Sequence, residues 1–137
     1  MSPLATRADA FLRAATIAFV LGWGLDLIDH LRRGLTAAPM AVTYLAGTHA
    51  LLIAVAVTMI LRHRKHAPEA TVIVGTASVL GLGYVHLMPD YWPAVQDSFI
   101  SGPRTDVTWF SWVTVAVAIG AALVWAHAGS RALVLRD

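Results

Sequence analysis

The sequence predicts an all-α integral membrane protein, a bundle of four transmembrane helices with both termini on the cytoplasmic side. Three observations lead there. Of 137 residues, 58% are hydrophobic and only 13% are charged, about half the charged fraction of an ordinary soluble domain. Mean hydropathy is +0.67. Four apolar segments each reach the roughly 20 residues that a helix needs to cross a bilayer.

The first segment runs from about residue 10 to 31 and ends at Arg32, Arg33 and Gly34, with Pro39 beyond. Arg7 and Arg13 precede it as in a signal peptide. Its apolar run continues into Asp26 and Asp29, with only a weak small-residue site at Ala37 and Ala38, so we expect a retained first span. The second, about 40 to 61, has His49 as its one ionisable group. Arg62, His63, Arg64, Lys65 and His66 make a short basic loop before Pro68. The third span covers about 69 to 88 and stops at Pro89. A connection over 89–107 leads to the fourth, about 108 to 128.

Orientation follows from the basic residues. Arg7, Arg13, Arg62, Arg64, Lys65, Arg131 and Arg136 fall on one side, and Arg32, Arg33 and Arg104 on the other. The first side is expected to be cytoplasmic, in a bacterial inner membrane. The outer connection is rich in aromatics. Tyr91, Trp92 and Trp109 suit the headgroup level, and Phe99 and Ile100 are placed to fold the loop back as a lid. Gly22, Gly24, Gly75, Gly81, Gly83 and the stretch Ala116 to Ala122 around Gly120 permit close helix packing, or docking on another subunit.

The absence of cysteine excludes disulfides, thiolate metal sites and iron–sulfur clusters. No basic stripe interleaved with aromatics points to nucleic acid. Serines such as Ser78 and Ser111 have no evident His–Asp partner.

Function concentrates in a few polar residues. Asp26 and His30, four apart, share one helix face. By topology they occupy the outer end of the first span. His49 lies about nine residues into the second, roughly 13 Å deep at 1.5 Å per residue. His86 ends the third, followed by Asp90. Ionisable groups at membrane depth cost roughly 2.5–3.5 kcal/mol each on insertion scales, and these five converge from three helices.

Imidazoles with a carboxylate suit copper, zinc or iron. Asp26, His30, His49 and His86 are candidate metal ligands, with Asp90 behind them. Alternatively His49 and His86 clamp a haem axially, in a slot opened by Gly81 and Gly83.

Each residue also has a structural reading. Asp29 and Arg33 form a surface ion pair at four-residue spacing. Asp26 and His30 bond each other or a neighbouring helix, His49 bonds a neighbouring helix, and His86 meets headgroups. His63 and His66 are solvated, and His127 is interfacial.

The Asp-x-x-x-His spacing of Asp26 and His30 resembles the copper-site helices of particulate methane and ammonia monooxygenase membrane subunits. That resemblance implies copper, with His49 as third ligand. The stretches His86 to Ile100 and Val107 to Thr114 resemble small four-span actinobacterial membrane proteins, which implies the architecture alone.

Three functions remain open at this level. The leading one is an accessory subunit of a larger membrane redox complex, carrying an outward-facing copper or haem site. The others are a purely structural or assembly subunit without cofactor, and a proton- or quinone-path protein. A chain this small is not expected to be an enzyme on its own. Its expected partners are the bilayer and other membrane subunits, or further copies of itself.

Overall fold

The computed structural model describes residues 3–135. Arg136, counted above among the cytoplasmic basic residues, lies outside them. The helices are α1 (Pro3–Arg33), α2 (Met40–Leu61), α3 (Ala67–Leu82) and α4 (Trp109–Val134). A π turn, Gly83–Leu87, continues α3, and a short 3₁₀ turn occupies Pro93–Val95. No strand occurs among the described residues. Four helical stretches are long and apolar enough to cross a membrane: Thr6–Arg33, Met40–Leu61, Ala67–Leu87 and Trp109–Val134. The second matches its sequence-predicted bounds. The fourth continues six residues further than expected.

Local chemistry sets the helix ends. Pro39 immediately precedes α2, and Pro68 occupies the first turn of α3, where the missing N–H of proline costs nothing. Thr108 and Ser111 form a reciprocal capping box at the start of α4, satisfying donors the first turn cannot use internally. Gly34, at φ +95°, takes the left-handed conformation that ends α1.

Packing order differs from chain order. α4 packs against both α1 and α3, and α2 packs against α3 and the 3₁₀ turn. The buried positions of α4 explain its central place. Ser111, Thr114, Val115, Ala118, Ala122, Trp125, Gly129 and Ala132 recur at three- and four-residue steps, and most are small. Gly22 comes within 3.2 Å of Ala121 at a hypothetical Cβ, Gly75 within 3.0 Å of Ala126, and Gly129 within 2.9 Å of the Pro68 carbonyl. These are the crossings where backbones approach closely. Gly24, Gly81, Gly83 and Gly120 meet nothing within 4 Å, so they do not serve as close-packing positions.

The main apolar core lies at the end of the bundle that carries the basic loop. Phe19 and Trp125 stack with ring centroids 4.3 Å apart, surrounded by Leu12, Ala15, Ile53, Ala56, Ile60, Ala67, Val74, Ala122, Ala128 and Ala132. Trp125 Nε1 donates to Thr16 Oγ1 at 2.9 Å, and that hydroxyl donates to the Leu12 carbonyl at 2.7 Å. Thr71, fully buried beside them, donates to the Ala67 carbonyl at 2.8 Å, so these polar groups are satisfied within the layer, as burial requires.

Candidate functional site

The opposite end, under the long connection, is built differently. α1 and α2 share no substantial packing, and a cavity of about 600 Å³ lies between α1, α2, α3 and the connection. Apolar residues form most of its wall, among them Trp23, Leu27, Val42, Leu45, Ala77, Val85 and Val95. Asp26, His30, His49, Ser78, Tyr84 and His86 bring polar atoms to it, with Asp29 and Arg33 at its edge.

The connection is held over the cavity by backbone pairing. The N–H groups of Asp97 and Phe99 donate to the carbonyls of Val85 and His86 at 3.1 and 2.9 Å. Gln96 Nε2 donates to the Tyr84 and Pro89 carbonyls, both at 3.1 Å, and Ser98 Oγ donates to the Met88 carbonyl at 2.7 Å. The carbonyls orphaned where α3 ends thus find donors in the connection. Phe99 is buried and faces His86, with ring centroids 4.5 Å apart. The expected fold-back occurs through Phe99. Ile100 stays exposed, as do Tyr91, Trp92 and Trp109.

A charge network locks the same region. Arg33, buried, is paired with both carboxylate oxygens of Asp97, and its guanidinium carbon stands 5.0 Å over the Phe99 ring. Its Nε lies 3.3 Å from Asp29 Oδ2, an ion-pair distance, yet is not aligned for a hydrogen bond. Arg32 donates to Asp29 Oδ1 from Nε and Nη2 at 3.0 and 2.9 Å, and reaches the Asp106 carbonyl and Ser111. The sequence reading made Asp29 and Arg33 a surface pair. That is corrected here: Asp29 is 1% exposed and Arg33 5%, because the connection closes over them.

Two guanidiniums therefore serve Asp29 and Asp97, and Asp26 is the carboxylate of the cavity wall that neither of them pairs. It has no hydrogen bond or ion pair among the described residues, and neither has His30. The other two histidines have one ring nitrogen committed each. A carbonyl only accepts, so His86 Nδ1 carries the proton it shares with the Asp97 carbonyl at 3.0 Å. Its Nε2 is left without a protein partner among the described residues. Ser78 Oγ donates to the Val74 carbonyl at 2.8 Å, so at 2.7 Å it accepts from His49 Nε2. His49 Nδ1 is left over.

All four core candidates from the sequence, Asp26, His30, His49 and His86, line this one cavity. Asp90 does not. Its backbone N–H bonds Ser101 Oγ at 2.7 Å, and its carboxylate turns toward Gly102 in the connection. Among the described residues, no three His, Asp or Glu side chains group closely enough to hold a metal ion. His49 takes its structural reading, a bond to the neighbouring helix. His63 contacts Arg13 and His66 pairs with Glu69 at the basic loop. His127 is exposed beside Phe11.

Ser78, Tyr84, Arg33 and Asp97 escaped the sequence reading as members of the site. Spacing alone offered no signal for Ser78. For Arg33 and Asp97, the presence of Arg32, Arg33 and Arg104 alongside Asp90, Asp97 and Asp106 in the outer segments was the available clue.

Fold and site together define a four-helix bundle with one closed apolar half and one half hollowed around unpaired protonatable side chains. No protein-family model, curated protein or solved structure matches the chain.

Proposed function

We propose that the chain lies in a membrane as four spans and binds a lipid-soluble, quinone-class molecule in the cavity, with Asp26 and His30 exchanging protons with its head. The observation that carries this reading is Asp26. An acidic group in a mostly apolar wall, with no hydrogen bond or ion pair among the described residues, is costly, and such groups by default mark a ligand, ion or proton pathway.

A quinone ring presents two carbonyls that accept hydrogen bonds and, when reduced, two hydroxyls that donate them. The cavity offers both kinds of partner: the Asp26 carboxylate and the free His86 Nε2 for the hydroxyls, Tyr84 and His30 for the carbonyls. Mostly apolar walls with a few convergent polar groups are what small-molecule sites have in common. Proton exchange would be with the long-connection side alone, because the Phe19–Trp125 layer offers no polar path to the basic loop. The positive-inside tendency places that side outward. In this role the small chain serves as an accessory subunit of a larger membrane redox complex.

The copper or haem reading ranks second. One observation favours it: a histidine that donates one ring N–H to a carbonyl and keeps the other nitrogen free is oriented as metal-bound histidines are, and His86 is so held. It needs further donors to move toward His86 from positions where no three now group.

The test is titration of a tailed quinone into the protein in lipid nanodiscs, followed by quenching of tryptophan fluorescence, since Trp23 and Trp92 line the cavity. Saturable quenching is expected, weakened about tenfold, or roughly 1.4 kcal/mol, by Asp26→Asn. Unsaturable quenching, together with near-stoichiometric copper or iron in elemental analysis, would transfer the conclusion to the metal reading.

A further inference from the structure

Resting on that reading, we infer that the gap between α1 and α2 is a lateral portal, and that the ligand keeps a long apolar tail lodged in it while its head occupies the cavity. Near the basic loop the two helices join one core, through Phe19 on α1 and Ile53 on α2. Toward the long connection neither helix contributes a buried residue to that core, and both continue as cavity walls: Trp23, Leu27 and His30 on one side, Leu45, Ala46 and His49 on the other. Leu27 is 40% exposed and Leu45 58%, so residues that line the cavity also face the apolar surroundings of the bundle. Cavity and surroundings are continuous along this seam.

The other helix seams are packed, and the seam between α1 and α2 is not. α4 fills the seams to α1 and α3, α3 covers α2, and the paired backbone of 96–99 with Phe99 roofs the end. A water-soluble ligand would have to cross that roof. An amphiphile arrives sideways from the bilayer with its tail trailing. The small side chain of Ala46 leaves the passage clear, and Gly81 adds room at the back wall, where a Cβ would meet nothing within 4 Å. The ligand class is therefore a redox-active or hydrogen-bonding ring on a long isoprenoid or alkyl chain.

The experiment compares a tailless benzoquinone with the same ring on a decaprenyl tail, both titrated into nanodiscs and expressed per mole in the lipid, so that partitioning cancels. The tailed ligand is expected to bind about tenfold or more tightly. Ala46→Trp, and independently Leu27→Trp from the opposite wall, should erase that advantage, read as the ratio of the two affinities within each variant. Both substitutions place a large ring on an exposed surface, and helical content by circular dichroism checks folding. Equal affinity for the two ligands in the unmodified protein overturns the portal and leaves the head site standing. If neither ligand binds, the quinone reading itself fails, and the portal with it.

Discussion

The two ends of this bundle are made of the same four helices and solve opposite problems. Beside the basic loop, Phe19, Trp125 and a set of alanines fill the space between helices, and the buried polar side chains Thr16, Thr71 and Trp125 find partners within the layer. Beneath the long connection the helices part around a cavity, and Asp26, His30 and a nitrogen each of His49 and His86 have no hydrogen-bond or ion-pair partner among the described residues. The difference assigns tasks. In an apolar solvent, close packing is the main force between helices, so the filled end holds the fold. The hollow end is free to carry unsatisfied groups because the filled end supports it, and because Arg32 and Arg33 neutralise the two carboxylates that serve structure.

The largest effect is expected at the filled end. Trp125→Ala removes the stacking partner of Phe19 and the donor to Thr16, and large-to-small changes of this kind cost about 3–5 kcal/mol. Denaturant titration in mixed micelles should show this loss, with ligand affinity in the surviving folded fraction unchanged. A variant that unfolds no more easily than the parent would dissolve the contrast between the ends.

Next in size is Arg33→Ala, which leaves Asp29 and Asp97 buried with one guanidinium between them. Removing one partner of a buried pair costs about 3–5 kcal/mol, but here the cost is felt by the connection more than by the helices. Limited proteolysis should cut within residues 89–107, with the four helices intact by circular dichroism. Arg33→Lys should restore little, since an ammonium cannot match both oxygens of Asp97.

A smaller effect sharpens the comparison. Gly81→Leu adds a side chain at a cavity-lining position whose Cβ nothing obstructs, and it replaces glycine in a helix, a gain of up to about 1 kcal/mol. Ligand affinity should fall while thermal stability holds or rises. The smallest is Ser78→Ala, which removes the partner of His49 Nε2. Hydrogen bonds between membrane helices average about 0.6 kcal/mol, so stability should barely move by the same micelle titration.

The sequence announced the helices because composition and length suffice to define them, and it placed Asp26, His30, His49 and His86 at one end because antiparallel helices leave little choice. Helix rotation did the rest, and rotation was not legible. It depends on where α4 inserts, and α4 sits between α1 and α3 although it comes last in the chain. For the same reason the α1–α2 gap was hidden: neighbours in sequence are parted in space. The pairing of Arg33 with Asp97 spans 64 residues and needed the connection to fold back, for which Phe99 and Ile100 were the hint. Asp90, close to His86 in sequence, was carried off by the turn at Pro89 and by Ser101.

The most direct measurement is photoaffinity labelling with a tailed azidoquinone in native membranes, mapped by peptide mass spectrometry. Labels should fall on Trp23, Leu45, Ala46 or Val85, around the cavity, and disappear when unmodified quinone is in excess. Labels scattered over exposed apolar residues such as Leu51 and Leu123, undiminished by the competitor, would contradict a binding site at this end of the bundle.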